Sequence, residues 1–313
     1  MASFLERYRQ GEHEQVWAEM LALGGEIREQ QLYPDVLAVA RETMTRARAN
    51  IELLVSRLSS LGYRFAHPDR VFVPSDDDTR RLTTGVERRA GPLPLSLWAW
   101  CEVVGEVNFM GSHPRLSTYV KPLKGEELAQ SYLSLFAKHG GTATISRAPL
   151  LESVALGQRL LGEVLERMRT GQPRSANLAA GVRASREFLE GLQRPAPFPG
   201  PEVESDPLVV EPYFKDLEDD VDEEEEDADE AGLFDVWIAP DLVHKTGQSG
   251  GEPYSISFPD PAVDARLLGD EEYGTFVEYL RTCFRWGGFP GLRASANPPR
   301  EELEYLTQGL TPL

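Results

Sequence analysis

The chain has 313 residues, 41% hydrophobic and 27% charged, and its 32 Lys plus Arg against 51 Asp plus Glu give a formal charge of −19. At roughly 150 residues per domain, the length favours two domains or one domain with a large elaboration. The charge balance argues against a nucleic-acid binder, whose phosphate contacts need clustered cations, and against an anionic membrane surface.

Two cysteines, Cys101 and Cys283, are too few for a disulfide framework or a Cys-rich zinc site, so a reduced, cytoplasmic protein is expected. The stretch Met1 to Arg7 lacks the apolar core of a signal peptide, and no run approaches the ~18 apolar residues of a membrane helix.

The first third reads as helix. Glu12 to Leu23 places Val16, Trp17, Met20 and Leu21 on one side and stops at Gly24-Gly25. After Pro34, Leu37, Ala40, Met44, Ala47, Ile51, Leu54, Leu58 and Leu61 follow at alternating spacings of 3 and 4, a heptad seam closed by Gly62. A helix from Pro34 to Leu61 would be about 42 Å long at the α-helical rise. Two readings fit: a helical hairpin with the first helix packed on the seam, or a coiled coil that makes a homodimer. The N-terminal helical region is expected over residues 1–66 and an α+β domain over 67–313.

Val71-Phe72-Val73 is β-prone and ends at Pro74. Pro92-Leu93-Pro94 leads into a helix from Leu95 to Val104, with Leu97, Trp98, Cys101 and Val104 as its stripe and Gly105 as its stop. Val107 to Gly111 reads as a strand and a turn. From about 123 to 200 the sequence reads as a helical insertion, with helical character at 128–136, 150–168 and 177–192. A Pro-rich linker, Arg194 to Pro201, closes it.

Strands are then expected at Pro207–Val210, Asp235–Ala239, Leu242–Lys245 and Tyr254–Phe258. An amphipathic helix from Asp270 to Trp286 buries Tyr273, Phe276, Val277, Leu280 and Phe284 and ends at Gly287-Gly288. The fold class this predicts is α+β, a single mixed or antiparallel sheet with flanking helices, preceded by the helical hairpin and carrying the insertion.

Between the first two of those strands, Asp216 to Glu230 has Asp or Glu at twelve of fifteen positions and no Lys or Arg. Taking those twelve from −19 leaves −7 for the rest of the chain. So charged a run repels itself and is expected to be a disordered loop at 216–230. It lacks the Gly and fixed alternation of an EF-hand loop.

Catalytic motifs are scarce. Gly247-Gln248-Ser249-Gly250-Gly251 fits the Gly-x-Ser-x-Gly string, but a strand follows where a nucleophile elbow needs a helix, and no His follows Ser249. A serine hydrolase at Ser249 is therefore a remote alternative. His13, His67, His113, His139 and His244 form no chelating pair with a neighbouring His or Cys, no P-loop is present, and neither a metal nor a cofactor is expected. Cys101 and Cys283 read as small buried hydrophobes. Trp100 lies two residues from the stripe position Trp98 and points elsewhere. Exposed, it would anchor a protein partner; covered by insertion helices, it would be core.

The stretch Leu93-Pro94-Leu95-Ser96-Leu97-Trp98-Ala99-Trp100-Cys101-Glu102-Val103-Val104-Gly105, continued by Val107-Asn108-Phe109-Met110-Gly111-Ser112-His113-Pro114, resembles the opening signature of the SUKH superfamily. Asp206-Pro207-Leu208-Val209, Gly250-Gly251-Glu252-Pro253-Tyr254, Phe258-Pro259-Asp260-Pro261 and Phe284-Arg285-Trp286-Gly287-Gly288-Phe289-Pro290-Gly291 are similar to segments of bacterial members. The likeness covers roughly Val71 to Leu292 without the insertion. It implies a one-sheet α+β fold and protein binding rather than catalysis. In many bacterial members the role is that of an immunity protein that neutralises a toxin; eukaryotic relatives are regulatory scaffolds.

The first expectation is thus a non-enzymatic binding protein whose acidic surface suits a cationic toxin such as a nuclease. Its candidate partner-binding residues are Trp100, Asp219, Asp220, Glu223, Glu224, Glu225 and Glu226. The alternative is an intracellular scaffold that dimerises through Leu37 to Leu61.

Overall fold

In the computed structural model the described residues are 2–117, 203–212, 214, 234–245, 253–269 and 273–313. All of them fall in one unit, Met1–Thr118 with Pro201–Leu313. The expected insertion at 123–200, its three helices, the acidic run and Ser249 lie outside the described residues.

The chain opens with α1 (Phe4–Arg9), started by a reciprocal cap: Glu6 N–H donates to Ser3 Oγ, and Ser3 N–H donates to the Glu6 carboxylate. Next comes α2 (His13–Leu21), which buries Val16, Trp17 and Met20 but leaves Leu21 at the surface. A 3-10 turn at Gly25–Glu29 then reverses the chain into α3 (Tyr33–Ser60), with Pro34 in its first turn. The Asp35 carboxylate accepts from the N–H groups of Phe4 and Leu5 at 2.6 and 3.2 Å, which ties the start of α1 to the start of α3.

The seam of α3 is filled by its own chain. Ala40, Met44, Ala47, Ile51, Leu54 and Leu58 are each 0% exposed, and the helix packs against α1 on one side. Trp17 donates from Nε1 to Thr43 Oγ1 at 3.2 Å across the same face. Along most of its length the seam is covered within the chain, with Leu37 and Leu61 at its two ends only partly buried. The described residues up to 66 share one hydrophobic core and one compact unit with the sheets.

The next elements are β1 (Arg64–Phe65), β2 (Phe72–Pro74), α4 (Asp77–Ala90), α5 (Leu95–Val103), β3 (Gly105–Asn108) and β4 (Gly111–Ser112). Asp76 caps α4 by accepting from Thr79 N–H at 2.8 Å. Helix α5 packs against both α3 and α4. Gly105 has φ +102°, and a Cβ there would overlap the Val73 carbonyl and the Ser75 nitrogen, so only glycine lets β3 turn out of α5 against β2.

The later elements are β5 (Val209–Val210), β6 (Phe234–Ala239), α6 (Leu242–Lys245), β7 (Tyr254–Phe258), α7 (Phe276–Arg285) and α8 (Arg300–Thr307). The α+β class holds. Among the described residues, however, the strands form three small antiparallel sheets rather than one: β1–β4, β2–β3–β5 and β6–β7. A bond from Glu211 N–H to the Ile238 carbonyl, 2.8 Å, joins the end of β5 to β6.

Two elements differ from expectation for local reasons. Leu242–Lys245 is a helical turn, not a strand, because the Asp241 carboxylate accepts from His244 N–H at 2.7 Å and caps it. Helix α7 starts at Phe276, not Asp270, because Thr275 and Glu278 form a capping box there. No helix among the described residues is long and apolar enough to cross a membrane.

Candidate functional site

The two tryptophans of α5 exchange the places their spacing suggests. Leu95, Ser96, Leu97, Ala99, Trp100 and Cys101 are all buried, so this helix has no single apolar stripe. Trp100 is 0% exposed; its Nε1 donates to the Gly105 carbonyl at 2.7 Å and its ring meets Phe276 edge-on at 5.4 Å. Trp100 is therefore a core residue and not a surface anchor. Trp98 is the half-buried one, with the Arg41 guanidinium 5.3 Å over its ring and Arg41 in turn paired with Glu102 at 2.7 and 2.8 Å. The other candidate partner residues, Asp219, Asp220, Glu223, Glu224, Glu225 and Glu226, lie outside the described residues.

The densest polar chemistry surrounds Asp206, the one non-glycine described residue with a left-handed backbone, at φ 47°. Lys245 donates from Nζ to Asp206 Oδ1 at 2.8 Å and to Tyr279 Oη at 3.2 Å. Tyr273 and Tyr254 donate from Oη to Asp206 Oδ2 at 2.7 and 3.2 Å. The three tyrosine rings meet edge to face, with centroids 5.0 to 5.8 Å apart.

Four segments converge here. The turn of α6 supplies Lys245, β7 supplies Tyr254, the loop before α7 supplies Tyr273 and α7 supplies Tyr279. The backbone of Asp206 is held by its neighbours, since Gly291 N–H donates to the Ser205 carbonyl and Leu208 N–H to the Gly288 carbonyl.

This cluster has the residue types of a proton-transfer site but not the access. Asp206, Lys245, Tyr254, Tyr273 and Tyr279 are each at most 3% exposed. Burial, then the neighbouring Asp206 charge, pushes the Tyr273 hydroxyl well up, and burial does the same to Tyr279, so both stay protonated, Tyr273 donating to Asp206 and Tyr279 accepting from Lys245. The arrangement ties together segments that lie far apart in the sequence. It was invisible to sequence motifs because Asp206 lies 39, 48 and 67 residues from Lys245, Tyr254 and Tyr273.

Among the described residues no three His, Cys, Asp or Glu side chains converge to hold a metal. His244 Nδ1 lies 2.6 Å from Asp241 Oδ1 as an isolated pair. Cys101 and Cys283 are both buried; burial pushes the Cys101 thiol up to about 12 and raises Cys283 as well, which leaves both thiols unreactive at neutral pH.

The surface offers a different aromatic. In β6, Val236 and Ile238 point inward at 2% and 1% exposure, and Trp237 between them is 60% exposed. Its cross-strand partner is the small Ser255 of β7, which leaves the indole uncovered. Strand alternation could have found it. Of the large hydrophobics exposed at the surface (Leu21, Leu32, Val73, Trp237 and Tyr305), it is the most exposed.

Comparison with family models, with curated proteins and with solved structures finds no match for this chain.

Proposed function

We propose that the chain is a non-enzymatic protein-binding module of the SUKH type, acting in the cytoplasm as an immunity protein that neutralises a cationic toxin such as a nuclease. The observation that carries this reading is Trp237, 60% exposed on the outer face of the β6–β7 sheet. Tryptophan is enriched among the few residues that dominate protein-interface energies, and a soluble chain gains nothing from leaving one in water. Four residues before β6, the sequence ends a run of twelve carboxylates in fifteen positions. An exposed aromatic on a strand that follows an acidic run in sequence suits a basic partner: the charge speeds encounter and the indole supplies affinity.

The test is capture of partners from an extract of the cell that encodes the chain, at low and high salt, with the wild type and with Trp237→Ala. The reading expects one stoichiometric cationic protein, released at high salt and lost with Trp237→Ala. Retention of the same protein by Trp237→Ala would refute the surface assigned here. Binding insensitive to salt would refute the cationic partner.

A further inference from the structure

Lysine is rare in this chain. Of the 32 residues that are Lys or Arg, 5 are Lys and 27 are Arg. Among the described residues the only lysine is Lys245, and it is fully buried against Asp206. Arginine is the usual choice for a buried ion pair, because its planar fork meets both carboxylate oxygens. What lysine offers instead is chemical: an amine can give up a proton and attack a carbonyl carbon, which a guanidinium does not do.

The surroundings of the pair suit acyl transfer. Lys245 Nζ lies 2.8 Å from Asp206 Oδ1, and Cγ is one bond further on. Tyr279 Oη accepts from the same Nζ at 3.2 Å, and the ring centroids of Tyr254 and Tyr279 lie 4.8 and 5.5 Å from it, which fixes the amine against the carboxylate. The second carboxylate oxygen, Oδ2, takes two hydroxyl donors, Tyr273 at 2.7 Å and Tyr254 at 3.2 Å. Donors so placed stabilise the negative charge that gathers on a carbonyl oxygen when its carbon is attacked. Burial of both side chains keeps the reacting atoms together and shuts out water, the competing nucleophile.

We infer that Lys245 and Asp206 condense to an intramolecular isopeptide bond. One Nζ proton passes to Oδ1 along the 2.8 Å bond. The freed lone pair of Nζ attacks Cγ, and the carbonyl electron pair moves onto Oδ2, where the Tyr273 and Tyr254 hydroxyls stabilise it. A second Nζ proton moves to Oδ1, the Cγ–Oδ1 bond breaks, and Oδ1 leaves as water while the Cγ–Oδ2 double bond reforms. An ammonium and a carboxylate thus give an amide and one water, with no change of oxidation state and no co-reactant. The bond spans a sequence separation of 39 residues, and the ring it closes contains the acidic run 216–230. A cross-link over so long a loop restricts the unfolded chain. The pair shares no residue with the Trp237 surface and stands or falls separately from it.

The experiment is the intact mass of the purified full chain in denaturant, followed by tryptic digestion. The wild type should be lighter than its sequence by one water, about 18 Da. Its digest should hold one branched peptide that contains both Asp206 and Lys245 and is uncleaved after Lys245. Lys245→Arg keeps the cation and loses the amine, and should show the full sequence mass. Mass reports on the covalent chain whether or not this variant folds. A wild type at full sequence mass, a deficit that persists in Lys245→Arg, or a deficit carried by a peptide without Lys245 would overturn the bond.

Discussion

Lys245 Nζ and Asp206 Oδ1 lie 2.8 Å apart with both side chains sealed from water, at 0% and 1% exposure. A buried pair of this kind holds together segments that the sequence keeps apart, and it is costly to break from one side only. Lys245→Met would leave the Asp206 carboxylate facing only tyrosine hydroxyls. A loss of about 3–5 kcal/mol in urea unfolding is expected. Lys245→Met with Asp206→Asn should lose less than the two single changes summed, since neither partner is then left charged. Strict additivity would show that the pair does not couple.

Trp237 and Trp100 should separate binding from folding. Trp237→Ala is expected to change stability by no more than about 0.5 kcal/mol, since most of the residue is in water. Trp100→Ala removes a fully buried indole and its bond to Gly105, and about 3–5 kcal/mol should be lost. Acrylamide quenching should report Trp237 as an accessible indole in the wild type, and a quenching profile unchanged in Trp237→Ala would contradict its exposure.

Asp264 gives a pH dependence. Its carboxyl is buried at 4% exposure beside the start of α7, where Val277 N–H donates to it at 3.3 Å, and burial pushes it up to about 6. An unfolded Asp titrates near ~3.9, so between pH 4 and 6 the native state binds the proton that the unfolded state has lost. Stability from this group is thus present below pH 4 and falls as pH rises through 6, by about 3 kcal/mol for a shift of about two units. Asp264→Asn should remove that slope. Urea unfolding of both proteins from pH 4 to 7 measures the difference, and a difference that stays constant with pH would reject the burial effect.

Neither cysteine should react with a thiol reagent in the folded protein, and both should react on unfolding. Fast native-state labelling of Cys101, whose thiol is pushed up to about 12, would mean that α5 opens far more readily than its packing implies.

The parts of the fold that were legible in sequence were those with a strong period or a strong cap. The 3-and-4 spacing of α3 was one, and the short apolar runs of β2, β6 and β7 were others. Helix α4 was missed because Asp77–Ala90 carries few apolar residues; Leu82, Val86 and Ala90, with the buried Thr83, mark its inner face. The Asp76 cap was its one clear signal. Trp98 and Trp100 were misassigned because periodicity assumes one dry face, and α5 is enclosed on several sides. The cluster around Asp206 was illegible because it is made by segments far apart in the chain, and one sequence carries no record of such pairings.

Asn50 sits in the middle of α3, and its side-chain amide closes a two-way bond with the backbone of Thr311, 261 residues later, at 2.9 and 2.8 Å. Helix α8 packs on the same helix. During synthesis α3 emerges early, yet part of its apolar flank waits for residues 300–313 before it is covered. A nascent chain must therefore carry part of the apolar flank of α3 uncovered until residues 300–313 follow it.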